Sequence, residues 1–218
     1  MKDVAAIVLA AGRSQRMGHF KPLLPFGDRT VIESCIDNLR RGGAETIVVV
    51  LGHRAADLKR HLQNASVVFA LNSDPDSEMS ASIACGVRCV PASASAILIS
   101  PSDHPAVAPG VVATLISTWE TGAELVIPTW EGRGGHPVLV DSKFREALLH
   151  LDAGGGLRRL FESHREQVNR LNVDSSYIAR DMDTWDDYIS LHKDVFGEFP
   201  KPPFGGPGSE RTLVEETN

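Results

Sequence analysis

Short, almost unbroken apolar runs recur along the chain and alternate with stretches whose apolar positions fall three or four residues apart. The runs at 4–9, 46–51, 67–71, 96–100, 125–128 and 138–140 read as strands. They do not alternate apolar with polar, so both faces of their sheet must be covered, as in a parallel sheet between two helical layers. Val31, Cys35 and Leu39 form one helical stripe, with Thr30 and Glu33 as a capping box at its start and Gly42-Gly43 as its stop. Ile83, Val87 and Val90 form a second, and Val111, Val112, Leu115, Ile116 and Trp119 a third. Further helices are expected at 142–151, 157–164 and 185–196. This order predicts an α/β fold, a Rossmann-like three-layer α/β/α sandwich with a mostly parallel central sheet. Residues 1–197 are expected to form one domain. Residues 198–218, with Pro202-Pro203 and Gly205-Gly206-Pro207-Gly208, are expected to be a flexible C-terminal tail.

Charge narrows the partners. Twenty-two Lys and Arg against 28 Asp and Glu leave a net charge of −6, which argues against nucleic acid or an anionic membrane surface as a partner. No apolar run approaches the ~20 residues of a membrane span, and no signal-peptide pattern opens the chain. The three cysteines, Cys35, Cys85 and Cys89, include no C-x-x-C pair and read as small apolar positions rather than a metal site. The expected compartment is the cytoplasm.

In an open parallel sheet the ligand sits beyond the C-terminal ends of the strands. The first such end runs Leu9-Ala10-Ala11-Gly12-Arg13-Ser14-Gln15-Arg16-Met17-Gly18-His19-Phe20-Lys21. Small residues at Ala10, Ala11 and Gly12 let a ligand approach the backbone N–H groups, and Arg13, Arg16 and Lys21 place three cations within nine positions. Such crowding of like charge calls for an anion. The segment is neither a Walker loop nor G-x-G-x-x-G, and it reads as a cradle for a triphosphate. The strand at 96–100 leads to Asp103 in Ser102-Asp103-His104-Pro105, and a lone carboxylate at a strand end suits Mg²⁺ bound alongside phosphate oxygens.

The run L-A-A-G-x-S-x-R-M-G-x-x-K-x-L-L-P resembles the signature loop of the MobA-like nucleotidyltransferases. Its double alanine, Ala10-Ala11, is similar to the molybdenum cofactor cytidylyltransferase branch, where the guanylyl-transferring branch usually carries glycine second. The resemblance implies that Leu9, Ala10, Ala11, Gly12, Arg13, Ser14, Arg16, Met17 and Lys21 hold the nucleotide, and that Asp103 binds Mg²⁺. Three further segments support it. The stretch 72–83 is similar to a family run that lies against the nucleobase, which assigns Ser80 and Ser82 to the base, although Glu78 stands where the family often has glycine. Gly132 to Val138 resembles G-x-x-G-H-P-V near the acceptor pocket and assigns His136 to acceptor phosphate. Asp181-Met182-Asp183-Thr184-Trp185 resembles D-I-D-T-P. There Asp183 is the expected second metal ligand, with Thr184 or Asp181 as a helix cap. The run 151–159 carries the family's acid, glycines and arginine in shuffled order.

The implied activity is transfer of a nucleoside monophosphate, CMP from CTP, to a phosphorylated acceptor of the molybdopterin type, with release of pyrophosphate. Arg16, Lys21 and Asp103 are the expected catalytic residues, and a molybdoenzyme is the expected protein partner. Two alternatives stand beside this: a cytidylyl- or uridylyltransferase acting on a sugar- or polyol-phosphate, and a non-catalytic molybdenum-cofactor maturation protein.

Overall fold

The computed structural model describes residues 3–12, 17–74 and 76–200. Most of the expected tail, from residue 201 onward, lies outside them. The strands are β1 (Val4–Ala10), β2 (Pro25–Phe26), β3 (Arg29–Thr30), β4 (Thr46–Leu51), β5 (Val68–Leu71), β6 (Ala96–Pro101), β7 (Leu125–Trp130), β8 (Arg133–Gly134), β9 (Val138–Asp141) and β10 (Val168–Asn172). The α-helices are α1 (Val31–Arg41), α2 (Ala55–His61), α3 (Met79–Cys89), α4 (Pro109–Glu120), α5 (Arg145–Leu149), α6 (Gly156–Ser163) and α7 (Trp185–Phe196). The main sheet has the order β10-β7-β9-β6-β1-β4-β5, with β8 paired to β7, while β2 and β3 form a separate hairpin. Its pairs are parallel except those of β9 with β6 and β7 and of β8 with β7. The fold is therefore the expected α/β sandwich with a mostly parallel sheet.

The unbroken apolar runs follow from burial on both faces. Along β1, Val4, Ala6, Val8 and Ala10 enter one core with Ile32 and Ile36 of α1, Leu58 of α2 and Leu115 and Trp119 of α4. Ala5 and Ile7 point the other way, into a second core with Ile83 and Val87 of α3, Leu148 of α5 and Leu160 and Phe161 of α6. Each fully buried Ile, Leu or Val contributes about 1.5–3 kcal/mol relative to exposure. Gly86 lets α3 close onto the sheet, since a Cβ there would fall 2.6 Å from Ile7 Cγ2 and 3.0 Å from Val50 Cγ2.

Local signals behave as expected at α1, where Thr30 Oγ1 accepts from Glu33 N (3.4 Å) and Glu33 Oε2 accepts from Thr30 N (2.8 Å). The cysteines are free: Cys35 is buried, and Cys85 and Cys89 pack half-buried against the second core. Elsewhere the structure differs from the pattern. The helix expected over 142–151 is a 3-10 turn (Ser142–Phe144) followed by the short α5, because the Asp141 side chain accepts from Lys143 N and starts a tight turn. Five elements were not expected: the two-residue strands β2, β3 and β8, the helix α2 and the strand β10. α2 fully buries only Leu58, and β10 is an edge strand of half-buried and exposed residues reading V-N-R-L-N.

A third, smaller core lies beside the sheet. Met17, Leu24, Phe26 and Val31 pack against Met182 and against Tyr188 and Leu191 of α7. Tyr188 Oη donates to Pro25 O (2.6 Å), while Gly27 N donates to His192 Nε2 (3.3 Å). These contacts tie the stretch after the first strand to the last helix.

Candidate active site

β1 and β6 run side by side in parallel, with Leu9 opposite Pro101, so the loops leaving them emerge together. Ser102 N donates to Leu9 O at 3.1 Å. From below, α1 steadies the second loop: Asn38 Nδ2 donates to Pro105 O (2.9 Å) and Cys35 Sγ to Ser102 O (3.5 Å). Between the loops lies a cavity of about 300 Å³. Leu9, Ala10, Ala11, Gly12, Lys21 and Asp103 line it, with Asn72, Ser77 and Ser82 across from them. A Cβ on Gly12 would meet nothing within 4 Å, so this turn leaves its backbone open to a ligand.

Lys21 begins a 3-10 turn and is buried, only 9% exposed. Its Nζ lies 2.7 Å from Asp183 Oδ1 and 3.8 Å from Asp103 Oδ2. Three charges from remote parts of the chain thus meet at one point. The third core brings Asp183 there, since Met17 precedes Lys21 by one turn of loop and Met182 precedes Asp183 directly. Thr184 caps α7 in a capping box with Asp187, so the neighbour of Asp183 sets where the helix begins. Burial and the nearby carboxylates of Asp183 and Asp103 raise the Asp181 pKa. Among the described residues, the carboxylates of Asp103, Asp181 and Asp183 thus gather around Lys21.

The other expected residues divide. Ser82 lines the cavity and accepts from Asn72 Nδ2 (2.9 Å), which also donates to Ser77 Oγ (2.8 Å). Ser80 is buried in the first turn of α3 and does not line the cavity. Met17 is buried in the third core, so its side chain packs rather than faces the cavity. Arg13, Ser14 and Arg16 lie outside the described residues. Asn72, the buried hub of the serine wall, opens the stretch 72–83 marked by the family resemblance, although no role was assigned to it there.

His136 lies on the far side of Asp103. Its ring is 5.6 Å from that of His104, whose Nε2 is 3.7 Å from Asp103 Oδ1. The Nδ1 atoms of both rings are buried without a hydrogen-bond partner among the described residues. Burial, then the neighbouring His104, lowers the His136 pKa from 6.5 to about 4. The unfolded chain therefore takes up a proton that the folded chain refuses. Its stability contribution is intact above about pH 6.5 and lost as the pH falls toward 4. We expect this group to cost about 2 kcal/mol across that window. Urea midpoints at about pH 7 and about pH 4.5 should differ less in His136→Gln than in the parent; an equal difference would exclude the histidine as the cause.

Oxygen donors at one point also meet the requirement of a hard divalent cation. Asp103 and Asp183 both reach the position of Lys21 Nζ within 4 Å, and Mg²⁺ or Mn²⁺ takes one or two carboxylates beside phosphate oxygens and water. Among the described residues no group of three His, Cys, Asp or Glu side chains is placed to hold a metal ion by itself. A cation bound here would rely on substrate oxygens. The residues fit that mode.

The model of the MobA-like NTP transferase domain matches residues 6–168. The chain belongs to the MobA-like NTP transferase family. As a member it is a nucleotidyltransferase. The MobA-like chain is 25% identical over 192 residues to the molybdenum cofactor cytidylyltransferase of Escherichia coli (strain K12), covering 87% of this chain and 96% of that one. It is also 25% identical over 189 residues to the nicotine blue oxidoreductase of Paenarthrobacter nicotinovorans, covering 83% and 92%. Among solved structures, Rv0371c of Mycobacterium tuberculosis H37Rv superposes with a TM-score of 0.80 at 29% identity, covering 88% of this chain and 98% of that one. Another structure of Rv0371c is a complex with manganese, with a TM-score of 0.75 at 28% identity, covering 88% and 99%. Among the described residues of the MobA-like chain, no helix is long and apolar enough to cross a membrane.

Proposed function

We propose that the protein transfers CMP from CTP to a phosphorylated acceptor of the molybdopterin type, with a divalent cation, Mg²⁺ or Mn²⁺, and release of pyrophosphate. The observation that carries this reading is the meeting of Lys21 Nζ with Asp103 and Asp183 beside the open backbone of Leu9 to Gly12. The triphosphate lies along 9–12, where backbone N–H groups donate to its oxygens, and Lys21 neutralises charge that builds on the α-phosphoryl group and the leaving pyrophosphate. Arg13 and Arg16 are assigned to the same polyanion. Asp103 and Asp183 hold the cation, which supplies Lewis-acid neutralisation when bound. The acceptor oxygen attacks in line, and no general base is required because that oxygen is already anionic. Ser82 and the Asn72 hub form the wall assigned to the base. Manganese in the Rv0371c complex and the cytidylyltransferase activity of the E. coli relative support the choice of metal and nucleotide.

Ala11 lines the cavity and fills space that a glycine would leave, which favours a pyrimidine over guanine. In thermal-shift titrations with Mg²⁺ or Mn²⁺, CTP is therefore expected to raise Tm more than UTP, ATP or GTP. A larger shift with GTP overturns the base assignment. Pyrophosphate release from CTP with molybdopterin, against a panel of sugar- and polyol-phosphates, tests the acceptor. Release only with the panel overturns the molybdopterin reading, and no release with any acceptor overturns the transfer itself.

A further inference from the structure

Glu78, a departure from the glycine often found there in the family, has a partner far away in the chain. Its Oε2 accepts a hydrogen bond from Gly154 N, 76 positions on. Glu78 precedes α3 without capping it, since its side chain accepts no hydrogen bond from the first turn of that helix. Its two neighbours serve the cavity beside Lys21: Ser77 and Met79 both line it, and Glu78 itself does not.

The loop that Glu78 reaches has buried feet and an exposed tip. Leu151 and Leu157 pack against the second core, whereas residues 152–154 are exposed. Within the loop, Asp152 O accepts from Gly155 N (3.4 Å) and Gly156 N (3.1 Å), and the Asp152 carboxylate pairs with Arg159 at 3.0 Å. Gly154 turns the tip with a φ of +81°, where a side chain would be strained. Among the described residues, the bond to Glu78 is the only hydrogen bond from residues 152–156 to any residue outside 152–163.

We propose that Glu78 is a positioning residue for nucleotidyl transfer: it latches the 152–156 loop to the rim of the nucleotide cavity, and nucleotide in the cavity tightens the latch. The inference rests on the reading above that the nucleotide occupies the cavity between the loops after β1 and β6. Met79 is 53% exposed although it lines that cavity, so a ligand there covers it. Ser77 Oγ is already held, accepting from Asn72 Nδ2 and donating to Asp74 O, both at 2.8 Å. With Ser77 and Met79 both pinned, the residue between them loses freedom, and its carboxylate meets Gly154 at less entropic cost. Such coupling is reciprocal: the latched loop favours nucleotide by the factor by which nucleotide favours the latched loop.

Hydrogen–deuterium exchange over residues 152–156 of the full-length protein tests both halves. Without nucleotide, Glu78→Ala should speed exchange there about fivefold, the worth of one exposed charge-assisted hydrogen bond. Glu78→Gln keeps an acceptor oxygen and should fall between parent and alanine. Saturating CTP with Mg²⁺ should slow the parent loop about fivefold further, the low end of coupling between sites, and leave the Glu78→Ala loop unchanged. The Kd for CTP should then rise in Glu78→Ala by the factor by which CTP slows exchange in the parent, because both report the shift toward the latched form. Unchanged exchange in Glu78→Ala without nucleotide, or alanine and glutamine behaving alike, overturns the latch. Equal slowing by CTP in parent and Glu78→Ala overturns the coupling. If CTP gives no thermal shift in the parent, the CTP reading falls, and the latch is judged with whichever of UTP, ATP and GTP gives the largest shift.

Discussion

Lys21→Met is expected to lower kcat/KM for CTP about a thousandfold, the upper range for deleting one preorganised cation from developing charge. Methionine keeps the buried stem, so the change isolates the charge. In the folded protein that ammonium faces Asp183 at 2.7 Å and Asp103 at 3.8 Å. Removing it leaves two partly buried carboxylates facing each other, with Asp181 nearby. Some stability should therefore go as well, about 1–3 kcal/mol, because the ion pairs of Lys21 with Asp183 and Asp103 are lost while the carboxylates stay close together. The reciprocal change, Asp103→Asn, removes a negative charge from an already acidic cluster. It should cost comparable activity with little loss of stability. Steady-state kinetics with denaturant melts on both variants separate the two effects. Near-normal turnover in either would remove the basis of the mechanism.

Gly135→Ala should damage stability and activity together. A Cβ at Gly135 would run into the carbonyl of Ile178, with the Ile178 carbonyl carbon 2.6 Å away. The obstacle is backbone, so no rotamer change relieves it. His136 N donates to that same Ile178 O at 2.8 Å, so any retreat moves both His136 and the segment leading to Asp181 and Asp183. Overpacking of this kind costs about 1–3 kcal/mol or more. For a domain of this size that corresponds to a Tm lower by about 2–12 °C. Activity should fall further than the residual folded fraction explains, since the displaced segment carries a carboxylate of the proposed site. A variant with parental Tm and parental kcat would show that the loop yields freely.

Much of this arrangement was legible in the chain, and the reasons are physical. Apolar runs of about six residues, too short for a helix and without alternation, fit strands covered on both faces, so β1, β4 and β6 and the ligand end of the sheet could be read directly. Lys21 and Asp103 follow strands that turn out to be adjacent, which places them on one side of the sheet. Asp183 is different. Its approach to Lys21 depends on Met17, Met182 and Tyr188 packing together, and hydrophobic periodicity carries no information about a cluster assembled from two loops and a distant helix. Only the family resemblance pointed to it. Strand β10 was hidden for a related reason: V-N-R-L-N has neither the alternation nor the hydrophobicity of a strand because it lies at the sheet edge. Met17 shows what a motif leaves unsaid: the resemblance assigned it to the nucleotide, and its side chain packs into the small third core, where an apolar group is more stable than in water.

The reversed direction of β9 determines which kind of loop reaches the chemistry. Because Val138 stands opposite Ile99, the chain enters β9 at the same rim where β1 and β6 let go of it. The parallel strands furnish that rim with their outgoing loops; β9 furnishes it with its incoming one, the short arm through β8 and His136. That arm joins two neighbouring strands of one sheet and crosses no helix, so its length can change while the strand register is kept. Tailoring of the acceptor side is thereby uncoupled from the nucleotide side, since the triphosphate cradle belongs to a different strand and a different turn.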